Sequence, residues 1–415
     1  MIERKNIPVY VPRPDYIDAI RPFMGTSLIK VLTGQRRVGK SYILFHLIDE
    51  VLQKNKNAEI LYINKELQEF RTITDGEELY EYVISRLNPI EPNFLFIDEI
   101  QEIEGFERAL RSLLAEGKCD IYCTGSNAQL LSGELSTFLG GRYIEIKIHP
   151  LSYTEFLRFH VLDDSRINMQ KYLRFGGLPY LAAIGLSELT AFEYLENVQS
   201  SILLKDVVAR EKIRNVAFLK TLLEYLADNV GNLFSANNIS KYLKSQRIAM
   251  PVQTILNYLS ALQNAFIVTG VSRTEVNGLK MFEIGEKYYF EDLGLRNATR
   301  GQSTPLEMGK LVENAVYLHL VQQGFSVHIG WLEGLEIDFV AEKAGTKIYV
   351  QASYLIVDET TATREFGNLL KIEDNFPKYV VSFDEVFENS GYKGIKHMRL
   401  NDFLLLDLTR QAGIH

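Results

Sequence analysis

Residues 34–41, Gly-Gln-Arg-Arg-Val-Gly-Lys-Ser, carry the spacing G-x-x-x-x-G-K-S. Each fixed position has a task in phosphate chemistry. Gly34 and Gly39 let the backbone curl, so that N–H groups of Gln35, Arg36, Arg37 and Val38 can point inward at phosphate oxygens. Lys40 then reaches the β- and γ-phosphates, and the Ser41 hydroxyl can ligate Mg²⁺. Tyr42 opens the helix that follows. A second stretch, NFLFIDEIQ (93–101), delivers Asp98 and Glu99 to the end of an apolar run. There Asp98 would hold Mg²⁺, commonly through water, and Glu99 would orient and polarise an attacking water. An acidic strand end is a weak signal alone, and the lesser reading of Glu99 is a neighbour of a helix N-cap. Downstream of a phosphate loop, with a strand and helical stretches between, the pair points to Mg²⁺-dependent ATP hydrolysis. The competing class is an interaction module that binds ATP without cleaving it; a less favoured third is an ATP-dependent DNA-processing enzyme.

The elements that must position these groups are legible around them. SLIKVLTG reads as a buried strand entering the loop. YILFHLIDEVL reads as a helix leaving it, with the positive end of its dipole toward the anion. EILYIN (59–64) is a second buried strand, and EELYEYVISRL and FERALRSLLAEG are amphipathic helices. In open α/β sheets ligands gather at the carboxyl ends of strands, where both motifs fall. CDIYCTGS (119–126) is a further strand ending in Ser126 and Asn127. Those two either sense a γ-phosphate or form a turn that caps the helix AQLLSGELSTFL, and both roles are compatible. GGRYIEIKI (140–148) supplies the fifth strand, preceded by Arg142.

Composition bounds the rest. At 415 residues the chain has room for about two or three domains, and 46% hydrophobic with 24% charged residues is ordinary globular usage. A net charge of −8 gives no global basic field to announce nucleic acid. Cys119 and Cys123 lie four apart on one strand, on the same face and too far apart for an easy bridge. They read as reduced core residues of a cytoplasmic protein. No membrane span or leader is expected, since no apolar run reaches the length a span needs. A Pro-punctuated arm and the short helix YIDAIRPFM precede the first strand, where nothing names a contact.

GQRRVGKS, FLFIDEIQ, TGSN and GGR, in this order, resemble the AAA-type P-loop ATPases of archaea and bacteria related to the AAA+ and STAND NTPases. The resemblance implies a parallel sheet of order 5-1-4-3-2, with ATP and Mg²⁺ as ligands. It also implies that Arg142, placed immediately before the fifth strand, acts as an arginine finger on a neighbouring subunit's nucleotide; a solvated or salt-bridged arginine is the other reading. RFGGLPY (174–180) resembles the Gly-Leu-Pro motif of STAND relatives, which would bring Gly177 and Pro179 to the adenine. Read by itself, GGLP is a helix-breaking turn.

Four domains are expected: the P-loop core (1–150), a helical lid (151–215), a winged helix (216–286) and a C-terminal α/β domain (287–415). The winged helix is read from helices followed by a β-ribbon, with a would-be recognition helix starting at Pro251. Lys244 and Arg247 precede that helix, and Gln253, Thr254 and Asn257 lie on it. Phosphate contacts usually come from Lys or Arg, so DNA is open as a partner but not indicated, and a lid-like packing role is favoured. The C-terminal order of helix, three strands, helix and strand, with Glu313 and Asp338, resembles a restriction-endonuclease-like PD-(D/E)XK domain. The next strand offers Gln351, Ala352 and Ser353 where that chemistry wants an acid and a lysine. The expectation is an inactive scaffold that serves a protein partner; monomer or homo-oligomer is left open.

Overall fold

The computed structural model describes residues 7–128, 139–233, 235–245, 250–276, 285–301, 307–356, 359–383 and 391–411. It divides into two units, 1–149 with 264–266, and 150–263 with 267–415.

In the first unit, α1 (Pro14–Ile20) opens with Pro14 in its first turn, where a missing N–H costs nothing. β1 (Ile29–Thr33) is buried along its whole length and runs into the glycine loop, from which α2 (Lys40–Lys54) departs. β2 (Glu59–Asn64), α3 (Gly76–Ile84), β3 (Asn93–Asp98), α4 (Phe106–Glu116), β4 (Cys119–Gly125) and β5 (Tyr143–Lys147) follow. All five strands are parallel in the order β2-β3-β4-β1-β5. This is the order expected from the sequence, read from the other edge. α4 shows why the layers hold: Phe106, Ala109, Leu110 and Leu113, one stripe at helical spacing, are its buried residues. They join Leu95, Ile97, Ile121 and Cys123 in one core. Cys119 and Cys123 are free thiols, and burial pushes both up to about 12. The stretch 129–138, most of the helix expected after Asn127, lies outside the described residues, as does Arg247.

The second unit begins with helices. α5 (Tyr153–His160) starts on a capping box between Ser152 and Glu155. α6 (Arg166–Phe175) and α7 (Glu188–Ser201) follow, and α7 runs on into π-helical turns over Ile202–Ala209. Next come α8 (Val216–Asp228), α9 (Ala236–Ser245) and α10 (Val252–Asn264), the last directly after Pro251. β6 (Val268–Glu275) and β7 (Glu286–Phe290) pair antiparallel. The remaining elements are α11 (Leu293–Arg300), α12 (Met308–Gln322), β8 (Ser326–Leu332), β9 (Leu335–Lys343) and β10 (Thr346–Ser353). After them come α13 (Glu359–Leu370), β11 (Lys378–Ser382), β12 (Gly391–Tyr392), β13 (Ile395–Arg399) and α14 (Leu400–Leu404).

Its sheet has eight strands in the order β12-β13-β11-β10-β9-β8-β6-β7. A β-ribbon is expected from the sequence after α10, and β6 and β7 form one. The far half of β6 goes further: Arg273–Glu275 pair parallel with Ile329–Trp331 of β8. β6 is long enough to serve both neighbours, so the hairpin and the C-terminal strands form one sheet across the division expected at 286/287. Among the described residues no helix is long and apolar enough to cross a membrane.

Candidate functional site

The register of the first sheet assembles the site. Thr33 lies opposite Gly125, Ile97 opposite Cys123 and Asn64 opposite Asp98. The loop after β1, the carboxylates after β3 and Ser126–Asn127 after β4 therefore emerge on one edge.

Two glycines shape the loop for different reasons. A Cβ on Gly34, which has φ +142°, would stand 2.2 Å from the Ile148 carbonyl oxygen, so only glycine fits. Gly39 takes φ 96° as the N-cap of α2 and leaves that helix end without a side-chain cap, open to an anion. Arg37, exposed, also adopts positive φ, at 72°. The buried Lys40 ammonium donates to the carbonyls of Gly34 and Gln35, each at 3.0 Å. It stands 3.9 Å from Glu99 Oε1. Gln35 is 1% exposed, and neither atom of its amide has a partner. Val38 is buried, Ser41 is half-buried, Arg36 approaches Glu66 at 3.5 Å, and Tyr42 faces solvent.

Asp98 accepts from the hydroxyls of Ser41, Thr124 (2.5 Å) and Tyr62 (3.2 Å). Burial raises its pKa, against the pull of Ser41 and Thr124. Ser41 and Asp98 thus present a hydroxyl and a carboxylate to each other, the oxygen set that Mg²⁺ takes beside a bound phosphate. The donors fit a nucleotide and its metal: an ammonium and a helix N-terminus for phosphate, and hard oxygens for the ion.

Glu99 sits in left-handed backbone, φ 59° and ψ 53°. That conformation costs a non-glycine residue roughly 1–2 kcal/mol. The Thr124 hydroxyl oxygen secures it by accepting the Glu99 N–H at 2.9 Å. The carboxylate accepts from the Gln101 amide and, at 3.2 Å, from the Ser126 hydroxyl. Burial alone would raise the Glu99 pKa; Lys40, Gln101, Arg36 and Ser126 outweigh it and hold the group below its ordinary range. An ionised carboxylate is what a water-orienting role requires. Asn127 is buried beside this network.

Arg142 is elsewhere. Ile29 pairs with Tyr143 and Thr33 with Lys147, so Arg142 precedes β5 at the edge where β1 begins. Five residues of strand, about 16 Å, separate that edge from the glycine loop. It is exposed, and its own chain's Lys40, Asp98 and Glu99 lie at the far edge. Gly177 and Pro179 belong to the second unit. There the Gly177 N–H donates to Asp292 Oδ2 at 2.7 Å, and its carbonyl accepts the Leu151 N–H at 2.7 Å.

Four site residues escaped sequence reasoning. Thr124 could have been found as a polar residue in an apolar strand, two places before Ser126. Gln101 lies within the motif itself. Tyr62 gives no signal. Nor does Arg13, which is 4% exposed and donates from Nη1 to the carbonyls of Val38 (3.1 Å) and His149 (3.0 Å). That bond ties the N-terminal arm to the loop.

Residues 26–157 match a family described as an AAA domain, and residues 166–306 match a domain of unknown function (DUF8612). An uncharacterized protein of Haemophilus influenzae is 35% identical over 401 residues, covering 95% of this chain and 98% of the relative. The uncharacterized protein MJ1544 of Methanocaldococcus jannaschii is 29% identical over 391 residues, covering 89% and 86%. Solved structures that are similar include the Aeropyrum pernix ORC1 protein in complex with DNA. It has 13% identity and a TM-score of 0.34, covering 71% of this chain and 94% of that one. AMPPCP-bound DnaA from Aquifex aeolicus has 14% identity and a TM-score of 0.29, covering 63% and 90%.

Proposed function

Since the chain belongs to the family of the Haemophilus influenzae protein and its glycine loop lies in an AAA domain, we propose that it binds ATP with Mg²⁺ and hydrolyses it slowly, as a conformational switch. The observation that carries this reading is the pairing of Ser41 with Asp98 at the edge where Lys40 and Glu99 also stand. Gly34, Gln35, Arg36, Arg37, Val38, Gly39, Lys40, Ser41 and Tyr42 form the phosphate cradle. Ser41 and Asp98 hold the metal. Glu99, steadied by Gln101 and Ser126, orients the attacking water, and Asn127 stands by as γ-phosphate sensor. Arg142 serves a neighbouring copy, since its own site is a strand length away.

In the second unit, the helices over 151–215 act as a lid, with Gly177 and Pro179 toward the adenine. The three helices α8–α10 and the hairpin after them act as a winged helix, and 287–415 as an endonuclease-like scaffold for a protein partner. A steady-state phosphate-release assay with and without Mg²⁺, on the wild type and Glu99→Gln, tests the enzymatic reading. The wild type should turn over only with Mg²⁺, and Glu99→Gln should bind ATP without turnover. Binding without phosphate release in the wild type would leave a non-hydrolysing module. Wild-type turnover in Glu99→Gln would give the water-orienting role to another group.

A further inference from the structure

The proposed ATPase chemistry makes no use of a second buried polar cluster, in the other unit. Lys287, on β7, is 2% exposed. Its ammonium lies 3.0 Å from Glu313 Oε1, 2.8 Å from Glu336 Oε1 and 3.5 Å from Asp338 Oδ1. These carboxylates come from α12 and from two positions of β9. The other oxygens are also engaged. Asp338 Oδ2 accepts the Ala352 N–H at 2.9 Å, and Glu336 Oε2 lies 3.5 Å from Arg273. Glu313 Oε1 takes a second donor, the Tyr289 hydroxyl, at 2.8 Å. Glu313 Oε2 sits against Gly231, where a Cβ would come within 2.5 Å of it.

Three carboxylates brought together, one buried and two partly shielded from water, need a cation, and a divalent metal is the ordinary one. The residues present do not fit a metal. The centre of the set is taken by a nitrogen at hydrogen-bond distance from Glu313 and Glu336 and at ion-pair distance from Asp338, and all three separations exceed the ~2.0–2.6 Å of Mg²⁺ or Ca²⁺ to oxygen. Among the described residues no group of three or more His, Cys, Asp or Glu side chains is placed to hold an ion. The neighbouring strand β10 adds no carboxylate: Gln351 accepts the Asp338 N–H at 3.3 Å through its own amide oxygen.

We propose that the Lys287 ammonium stands permanently where a divalent cation would otherwise sit, making the Glu313–Glu336–Asp338 set a metal-free tie that joins β7, α12 and β9. The stoichiometry suits it, since an ammonium has three N–H donors and meets three carboxylates here. Its charge is secure. Burial would lower the Lys287 pKa, but Glu313, Asp338 and Glu336 more than reverse that and raise it. The missing strand lysine is thus not made good by Lys287, which is hydrogen-bonded to Glu313 and Glu336 and ion-paired with Asp338.

The test uses the nucleotide-free full chain with Mn²⁺ as probe. The wild type should take up no Mn²⁺ that Asp338→Asn abolishes, melt at the same temperature in Mn²⁺ and in chelator, and leave plasmid DNA intact. Lys287→Met should melt several degrees lower, because it leaves the buried Asp338 and the half-buried Glu313 and Glu336 without their shared cation. The triple variant Lys287→Met, Glu313→Gln, Asp338→Asn should recover part of that loss. If Lys287→Met does not fold, folding of the triple variant supports the tie, and failure of both overturns it. A wild-type Mn²⁺ site removed by Asp338→Asn, DNA cleavage with the same dependence, or a Lys287→Met as stable as wild type would each overturn it too.

Discussion

Arg13→Ala should loosen the glycine loop from behind. The Arg13 guanidinium bonds two buried backbone carbonyls, Val38 in the loop and His149 after β5, and meets the Tyr16 hydroxyl at 3.3 Å while lying over the Tyr16 ring. Tyr16 in turn accepts the His149 N–H at 3.1 Å. Hydrogen bonds from charged donors are worth about 1.5–3 kcal/mol each, and their loss here would strand two buried acceptors. At 4% exposure the guanidinium has little solvent screening to discount. Water entering the space left by the side chain would recover part, so we take roughly 3 kcal/mol for the pair. Amide exchange across residues 34–48 should therefore speed up about a hundredfold in Arg13→Ala. If a third of that energy holds the loop in its phosphate-binding form, Mg-ATP affinity in calorimetry drops about fivefold. Arg13→Lys should fall between, because an ammonium lacks the planar fork that spans both carbonyls. Exchange within threefold of wild type, together with unchanged affinity, would refute the reasoning.

Three further outcomes follow. Lys40→Ala removes the ammonium poised on the Gly34 and Gln35 carbonyls and should weaken Mg-ATP binding at least tenfold in calorimetry; unchanged affinity would remove the loop from the site. Burial pushes the Asp292 pKa up to about 6, with the Gly177, Leu295 and Gly294 N–H groups holding it from going higher. An unfolded aspartate titrates near 4, so in the window between about 4 and 6 the folded chain holds a proton that the unfolded chain has released. This group's contribution to stability is therefore full below pH 4 and lost as pH rises through 6. Asp292→Asn should flatten that part of the pH profile of the urea midpoint, and an unaltered slope would refute it. Arg142→Ala and Glu99→Gln should each be inactive and regain turnover when mixed, if Arg142 serves a neighbouring copy; no recovery, with a monomeric mass in ATP, would make Arg142 structural.

What the sequence revealed and what it hid divide along sequence separation. The glycine loop, the apolar run into Asp98 and the strand ending at Ser126 are local patterns. Their side-by-side arrangement needs only parallel strands and right-handed crossovers. The common edge was legible for that reason, while the sheet order came only with the resemblance to the AAA-type ATPases. The residues that steady them act across long gaps: Arg13 on His149, Thr124 on Asp98 and Glu99, Asp292 on Gly177. No periodicity marks such pairs. The second partner of β6 was hidden for a related reason, since a hairpin pattern does not say whether a strand's far half will find another partner.

The second unit carries the point furthest. Glu313 and Asp338 were visible as acids in a familiar order of elements, and Ser353 as a lysine's absence, yet the charge that balances them lies on β7, in a segment that reads as a plain strand. Along that same segment stands Asp292, which accepts the Gly177 N–H while Gly176 and Gly294 press against it too closely for any side chain: a Cβ on Gly176 would meet the Gly294 nitrogen at 2.4 Å. Lys287 fixes β7 to α12 and β9 by charge, and Asp292 fixes the turn after it to the GGLP stretch by backbone hydrogen bonds. Both groups are buried, so a change at either leaves a charge or a donor uncompensated in low dielectric. The sheet and the GGLP turn are thus joined, through Lys287 on β7 and Asp292 just beyond it, by contacts that no pattern in either stretch announces.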